Sequence, residues 1–234
     1  MWNCRGYKSC RNELAKHIMD YDIIILTETK CRDNNCVYFT GFKTVHSINA
    51  LGSGDVAISA RSQIEFKTII GSDESPVGYD TIGIRTRNLE NNLNILAVYR
   101  HPRGVVYARD LNALRRHVDI GGDAIILGDF NVHNTYWNCD ITSSGGETLL
   151  NVMQDSGFFC INVDTKSRAG VCGQRDSNID LLFGNADHYF EWTGWVRSRW
   201  RLSPLELQWS ETALLDSNSD PWKEMDPQNM SLYL

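Results

Sequence analysis

The sequence predicts an α/β fold, a four-layer sandwich in which two mixed sheets pack face to face under flanking helices. Three observations point to it. Short apolar runs bounded by turn residues outnumber the segments with helical spacing. Several of those runs are apolar throughout, as in strands buried on both faces. The chain has 234 residues, 42% of them hydrophobic, enough for one substantial core without calling for a second domain.

The elements follow in order. Asn12 to Tyr21 places Leu14, His17, Ile18 and Tyr21 at helical spacing. Asp22 to Glu28 is a compact apolar strand ending in a carboxylate. Strands are expected at Gly54–Ser59, Ile64–Ile70, Thr81–Thr86 and Leu93–Tyr99. Tyr107 to Val118 reads as an amphipathic helix carrying Leu111 and Leu114. Asp123 to Asp129 is again a buried strand ending in an acid. Gly146 to Ser156 is expected to be helical, and Asn178 to Phe183 a strand. The pattern lapses after about Trp195. There Trp200, Trp209 and Trp222 follow no period, and Pro204, Pro221 and Pro227 interrupt the chain. Residues 1–195 therefore read as the domain and 196–234 as a divergent or irregular tail.

Composition excludes several classes. The aliphatic content is too high for disorder, and no short repeat marks a collagen or coiled coil. No apolar run approaches the ~20 residues of a membrane span, and Met1 to Gly6 has no signal-peptide core. The seven cysteines show no CxxC spacing and read as free thiols, which suits an intracellular protein. The formal charge of −6 speaks against holding nucleic acid by bulk charge. It is uneven, however: residues 1–117 carry 16 basic and 12 acidic groups, and residues 118–234 carry 7 and 17. Arginines at 85, 87, 100, 103, 109, 115 and 116 cluster in the basic half, where phosphate contacts would be useful.

Three strands deliver polar residues at their C-terminal ends. Glu28 follows Ile23–Leu26, Tyr99 follows Ile95–Val98, and Asp129 with Asn131 follows Ile125–Leu127. Sheet edges of this kind gather binding sites. Carboxylates there suit Mg2+, a hard cation that takes few protein ligands and completes its shell with water and phosphate oxygens. Acids at strand ends also serve as ordinary solvated turn residues, so this pattern is weak by itself.

The ordered wording is more specific. Trp2–Gly6 (WNCRG), Glu28–Lys30 (ETK), Gly54–Ile58, Tyr99–Pro102 (YRHP), Gly128–His133 (GDFNVH) and Ser177–Leu181 (SNIDL) occur in sequence order. Together they resemble the endonuclease/exonuclease/phosphatase superfamily, and within it the apurinic-type endonuclease domains of insect non-LTR retrotransposons. The resemblance runs over roughly residues 1–190. It implies Mg2+, or Mn2+ in its place, on Glu28 with Asn3 in support. It implies Asp129 as the residue that positions or deprotonates water, Asn131 and Tyr99 as phosphate contacts, and Asp180 as the carboxylate that orients a histidine. Arg100, His133 and Trp137 are the candidates for substrate contact, with surface packing an equal explanation of His133 and Trp137. DNA is the implied partner, with no membrane and no obligate protein partner. The implied setting is a longer polyprotein with a reverse transcriptase, acting in the nucleus if chromosomal DNA is the target.

Two departures bear on activity. The family pattern closes on Ser-Asp-His, and this sequence has no such tripeptide; Ser210-Glu211-Thr212 stands near the expected place. Only Met1 precedes Trp2, so the first strand has few ladder partners. The fold is thus expected to be incomplete at both ends. Three readings follow: a Mg2+-dependent DNA-nicking endonuclease impaired by the missing histidine; an inactive or domesticated nucleic-acid-binding remnant; and a phosphatase or phosphodiesterase of the same superfamily. His46, His101 and His117 have no motif support and read as ordinary.

Overall fold

The structure is a computed structural model. It describes residues 1–31, 37–47, 55–87, 92–168, 170 and 175–185, and the backbone of 190–193 and 206–209. The first sheet orders its strands β1 (Trp2–Asn3), β2 (Ile23–Thr27), β4 (Val56–Arg61) and β3 (Phe42–Ser47). β1 runs parallel to β2, and the other pairs are antiparallel. The second sheet holds six strands: β5 (Phe66–Ile70), β6 (Tyr79–Thr86), β7 (Leu93–Arg100), β8 (Asp123–Asp129), β10 (Asp180–Asn185) and β9 (Phe158–Cys160), in that order. Only β7 and β8 pair in parallel there; the rest are antiparallel. Both sheets are therefore mixed, as the α/β sandwich requires. A separate antiparallel pair joins β11 (Phe190–Thr193) to β12 (Glu206–Trp209), a strand in a region where the sequence shows no period.

Three apolar clusters account for the layering. Ile23, Ile25, Val56 and Ile58 of the first sheet meet Ile82, Ile84, Ile95, Ala97, Ile125 and Leu127 of the second. The alternate residues of β2, Ile24 and Leu26, face the opposite way, onto Tyr7, Cys10 and Leu14 of α1 (Tyr7–His17). On the far side of the six-stranded sheet, Leu96, Val98, Ile126, Leu181 and Phe183 meet α2 (Ala108–Arg116) and α3 (Ser144–Asp155). Every residue of β2, β7 and β8 is buried, because each is covered on both faces. Period-two alternation sends neighbouring side chains into different layers.

The helices form for local reasons. α1 begins at Tyr7, five residues before its expected start, because Tyr7 and Cys10 extend the buried stripe of Leu14. α2 buries Leu111 and Leu114 and places Arg115 and Arg116 in its last turn, where they complement the helix dipole. α3 is capped by Ser143, whose Oγ accepts from the Gly146 amide at 3.1 Å. Among the described residues, no helix is long and apolar enough to cross a membrane.

One position fixes the sheet next to the site. Gly128 has φ +155°, and a Cβ there would lie 1.7 Å from the Val98 carbonyl oxygen. Only glycine allows β7 and β8 to approach so closely. Cys4, Cys10, Cys139 and Cys160 are free and buried, as expected. Cys31 departs from that expectation, being disulfide-bonded.

Candidate active site

At one edge of the second sheet the C-terminal ends of β7 and β8 and the N-terminal ends of β6 and β10 form a row. Across the sheet, Asp80 of β6 stands opposite Tyr99 of β7, Tyr99 opposite Asp129 of β8, and Asp129 opposite Asp180 of β10. Residues paired in this way share a face. Tyr99 belongs to the cluster between the sheets, so this row faces the first sheet. From that sheet, β1 and β2 bring in Asn3 and Glu28, since Asn3 pairs with Thr27.

Asn3 closes the arrangement. Its Nδ2 donates to Glu28 Oε1 at 2.9 Å and to Asp129 Oδ2 at 2.9 Å, bridging carboxylates from the two sheets. Its Oδ1 accepts from the Arg5 amide at 3.2 Å. The Asp129 carboxylate also accepts from the Asn131 amide at 3.1 Å. Glu28 Oε2 lies 3.8 Å from Lys30 Nζ. Glu28, Lys30 and Asn131 all take left-handed backbone, at φ 52°, 52° and 49°. Such conformations cost non-glycine residues about 1 kcal/mol each.

The electrostatics follow from this crowding. Burial, then the charges of Asp180 and Glu28, push the Asp129 carboxyl well above its ordinary value, against the hydrogen bonds from Asn131 and Asn3. Burial, then Glu28, Asp129 and Asp80, push the Tyr99 phenol up, so it stays protonated and able to donate. Three acids repelling one another at a sheet edge suit a hard divalent cation, which would offset their charge. Among the described residues no set of three or more His, Cys, Asp or Glu forms a ready cage. A Mg2+ ion would be held through one or two carboxylates with water and phosphate completing the shell. Glu28, with Asp129 and Asp180 behind it, fits the group.

The other expected site residues are placed differently. Arg100 is 6% exposed and donates to the carbonyls of Phe130 (3.5 Å), Asn131 (3.3 Å) and Gly104 (2.6 Å). It braces the loops that hold Asn131, whose Nδ2 returns a bond to the Arg100 carbonyl at 2.7 Å. Its fork is spent on backbone, not held out for substrate. Trp137 is fully enclosed, edge-on to Phe183 at 6.3 Å between ring centroids. An enclosed indole touches no substrate, so its role is in the core. His133 is partly exposed, and burial and then Arg168 lower its proton affinity. The SNID segment anchors the edge of the row. Buried Asn178 donates to the Asn162 carbonyl at 2.7 Å, and Ser167 Oγ accepts from the amides of Ile179 and Asp180. Ser210 to Thr212, where a histidine would be sought, lie outside the described residues.

The sequence reading passed over one pair at the site. His101 Nε2 lies 2.9 Å from Asp80 Oδ2, and the His101 ring stands edge-on to Tyr99 at 5.2 Å. Asp80 Oδ2 also accepts from the Asp55 amide at 3.1 Å. An acid near the start of the buried strand Tyr79–Thr86 is the available signal.

Comparison with known proteins agrees with this geometry. Residues 93–203 match the family described as Endonuclease-reverse transcriptase. Over 158 residues, 66% of this chain, the sequence is 23% identical to the RNA-directed DNA polymerase from mobile element jockey of Drosophila funebris. The chain spans 16% of that relative's length. The fold is similar to the endonuclease domain of TRAS1, a telomere-specific non-LTR retrotransposon, with a TM-score of 0.63 at 16% identity, covering 80% of this chain and 84% of that one. It is similar also to the 3' phosphatase NExo from Neisseria bound to product DNA hairpin, with a TM-score of 0.56 at 16% identity, covering 79% and 84%. Part of the chain is thus similar to the family described as Endonuclease-reverse transcriptase, and its fold is similar to that of the endonuclease domain of a non-LTR retrotransposon.

Proposed function

We propose that the domain is a Mg2+-dependent endonuclease that nicks DNA and leaves a 3′ hydroxyl able to prime reverse transcription. The observation that carries this reading is the Asn3 bridge, which draws Glu28 and Asp129 together from two sheets. When bound, the cation would lower the charge at the scissile phosphate and acidify water. Glu28 would hold it, supported by Asn3. Asp129, with its raised proton affinity, is suited to take a proton from the attacking water. The Tyr99 hydroxyl, kept protonated, donates to a phosphate oxygen. Asn131 Nδ2 has one N–H committed to the Arg100 carbonyl and a second to offer. We take the domain to be the endonuclease part of a longer polyprotein with a reverse transcriptase, acting on chromosomal DNA in the nucleus.

A second reading, a nucleic-acid-binding domain that no longer catalyses, draws support from the missing Ser-Asp-His. Supercoiled plasmid with Mg2+ separates the two. Nicking by the parent and not by Glu28→Ala or Asp129→Ala is expected of the enzyme. Equal background in all three overturns it.

A further inference from the structure

Four acids converge where a polyanion is expected to enter: Asp80, Asp129 and Asp180 in the row, and Glu28 above it. A phosphate arriving there needs donors as well as a cation. Arg100 has spent its guanidinium on carbonyls, and Lys30 sits on Glu28. The imidazole of His101 is placed otherwise. The β6–β7 ladder continues one residue past β7, through the His101 amide and the Gly78 carbonyl at 2.9 Å. His101, two residues beyond Tyr99, therefore stays on the Tyr99 face. Its contact with the Tyr99 ring and its bond to Asp80, the residue opposite Tyr99, agree with that. Its side chain is 25% exposed, while that of Asp80 is 8% exposed.

We propose that Asp80 and His101 form a phosphate-contacting pair beside Tyr99, in which the His101 ring, oriented by Asp80, donates to a backbone phosphate of the nucleic acid. A protonated imidazole ring has two donors. Nε2–H serves Asp80 and fixes the ring. Nδ1–H has no partner among the described residues and is the donor for phosphate. Asp80 is itself steadied by the Asp55 amide, and Asp55 accepts through its carbonyl from the Thr29 amide at 3.4 Å. The same pair thus connects Tyr99 to the loop carrying Glu28. The proposal rests on the phosphodiester reading of the site, but its test does not need turnover.

Binding of the full chain to a short fluorescein-labelled duplex of mixed sequence, in EDTA over a series of salt concentrations, provides that test. A protein that neutralises one phosphate fewer shows a shallower dependence of log affinity on log salt, by about 0.9. His101→Ala and His101→Gln are both expected to weaken binding about tenfold and to lower the slope by about one phosphate. Gln keeps a donor for Asp80 without the charge, so it covers the case in which Ala disturbs folding. His101→Lys is expected to restore the slope. Unchanged affinity and slope in the Ala and Gln variants overturn the proposal. So does weaker binding at an unchanged slope, which marks a structural role, and so does a parent that does not bind duplex. A parent that binds as expected but fails to nick plasmid removes the nuclease reading and leaves this one standing.

Discussion

Asp129 and Asp180 stand directly opposite each other in the β8–β10 register, and their like charges raise the proton affinity of Asp129. The consequence for stability has a definite sign. An acid that holds its proton more tightly in the folded state adds stability below its ordinary value of 3.8, and that stability is lost as pH rises through the folded value. Asp180→Asn removes one source of the shift. In EDTA it is expected to melt higher than the parent at neutral pH, by about 2–4 °C for each kcal/mol relieved. The gap is expected to narrow as pH falls and Asp129 takes up its proton. Adding Mg2+ is expected to raise the melting temperature of the parent more than that of the variant. Thermal unfolding across pH, with and without the ion, checks each part.

Arg100 acts through the loops it ties together. Arg100→Ala leaves carbonyls of Phe130, Asn131 and Gly104 without their donor, at a cost of about 3 kcal/mol. Arg100→Lys is expected to recover little, because one ammonium cannot reproduce the planar fork. Urea unfolding measures the loss. In the duplex titration the salt slope is expected to stay at the parental value, in contrast to the His101 variants. A slope lowered by Arg100→Ala would return Arg100 to the substrate.

Gly128→Ala is the severe change. Its Cβ would overlap the Val98 carbonyl oxygen at 1.7 Å, in the parallel pair that positions both Tyr99 and Asp129. A loss of more than about 4 kcal/mol is expected, seen as a missing cooperative transition in circular dichroism.

Burial pushes the Cys160 thiol up to about 12. At mildly alkaline pH Cys160 is expected to resist iodoacetamide in the folded protein and to react once urea unfolds it. Mass spectrometry of the digested protein reads both states.

The parts that could be read in the sequence are those whose signal is local. β2 and β8 are buried on both faces, so their apolar runs are unbroken and their boundaries nearly as expected. β3 is an edge strand with polar residues on both faces, and Phe42–Ser47 carries no such run. Asn3, Glu28, Asp129 and Asp180 come to notice through ordered motifs, and the structure brings them into one place. The Asp80–His101 pair depends on the register between β6 and β7, which no single segment encodes. Trp137 and Arg100 misdirect for a related reason. An aromatic or a guanidinium next to a motif has the right chemistry for substrate, but only the turn that carries it decides whether it points inward.

The left-handed backbone at Glu28, Lys30 and Asn131 separates what folding requires from what the site requires. Glycine at Lys30 would escape the strain at a comparable entropic cost, whereas at Glu28 and Asn131 it would also remove the bonds to Asn3 and to the Arg100 carbonyl. The strained backbone at Glu28 and Asn131 thus coincides with side chains that tie one element to another, Glu28 to β1 through Asn3 and Asn131 to the end of β7.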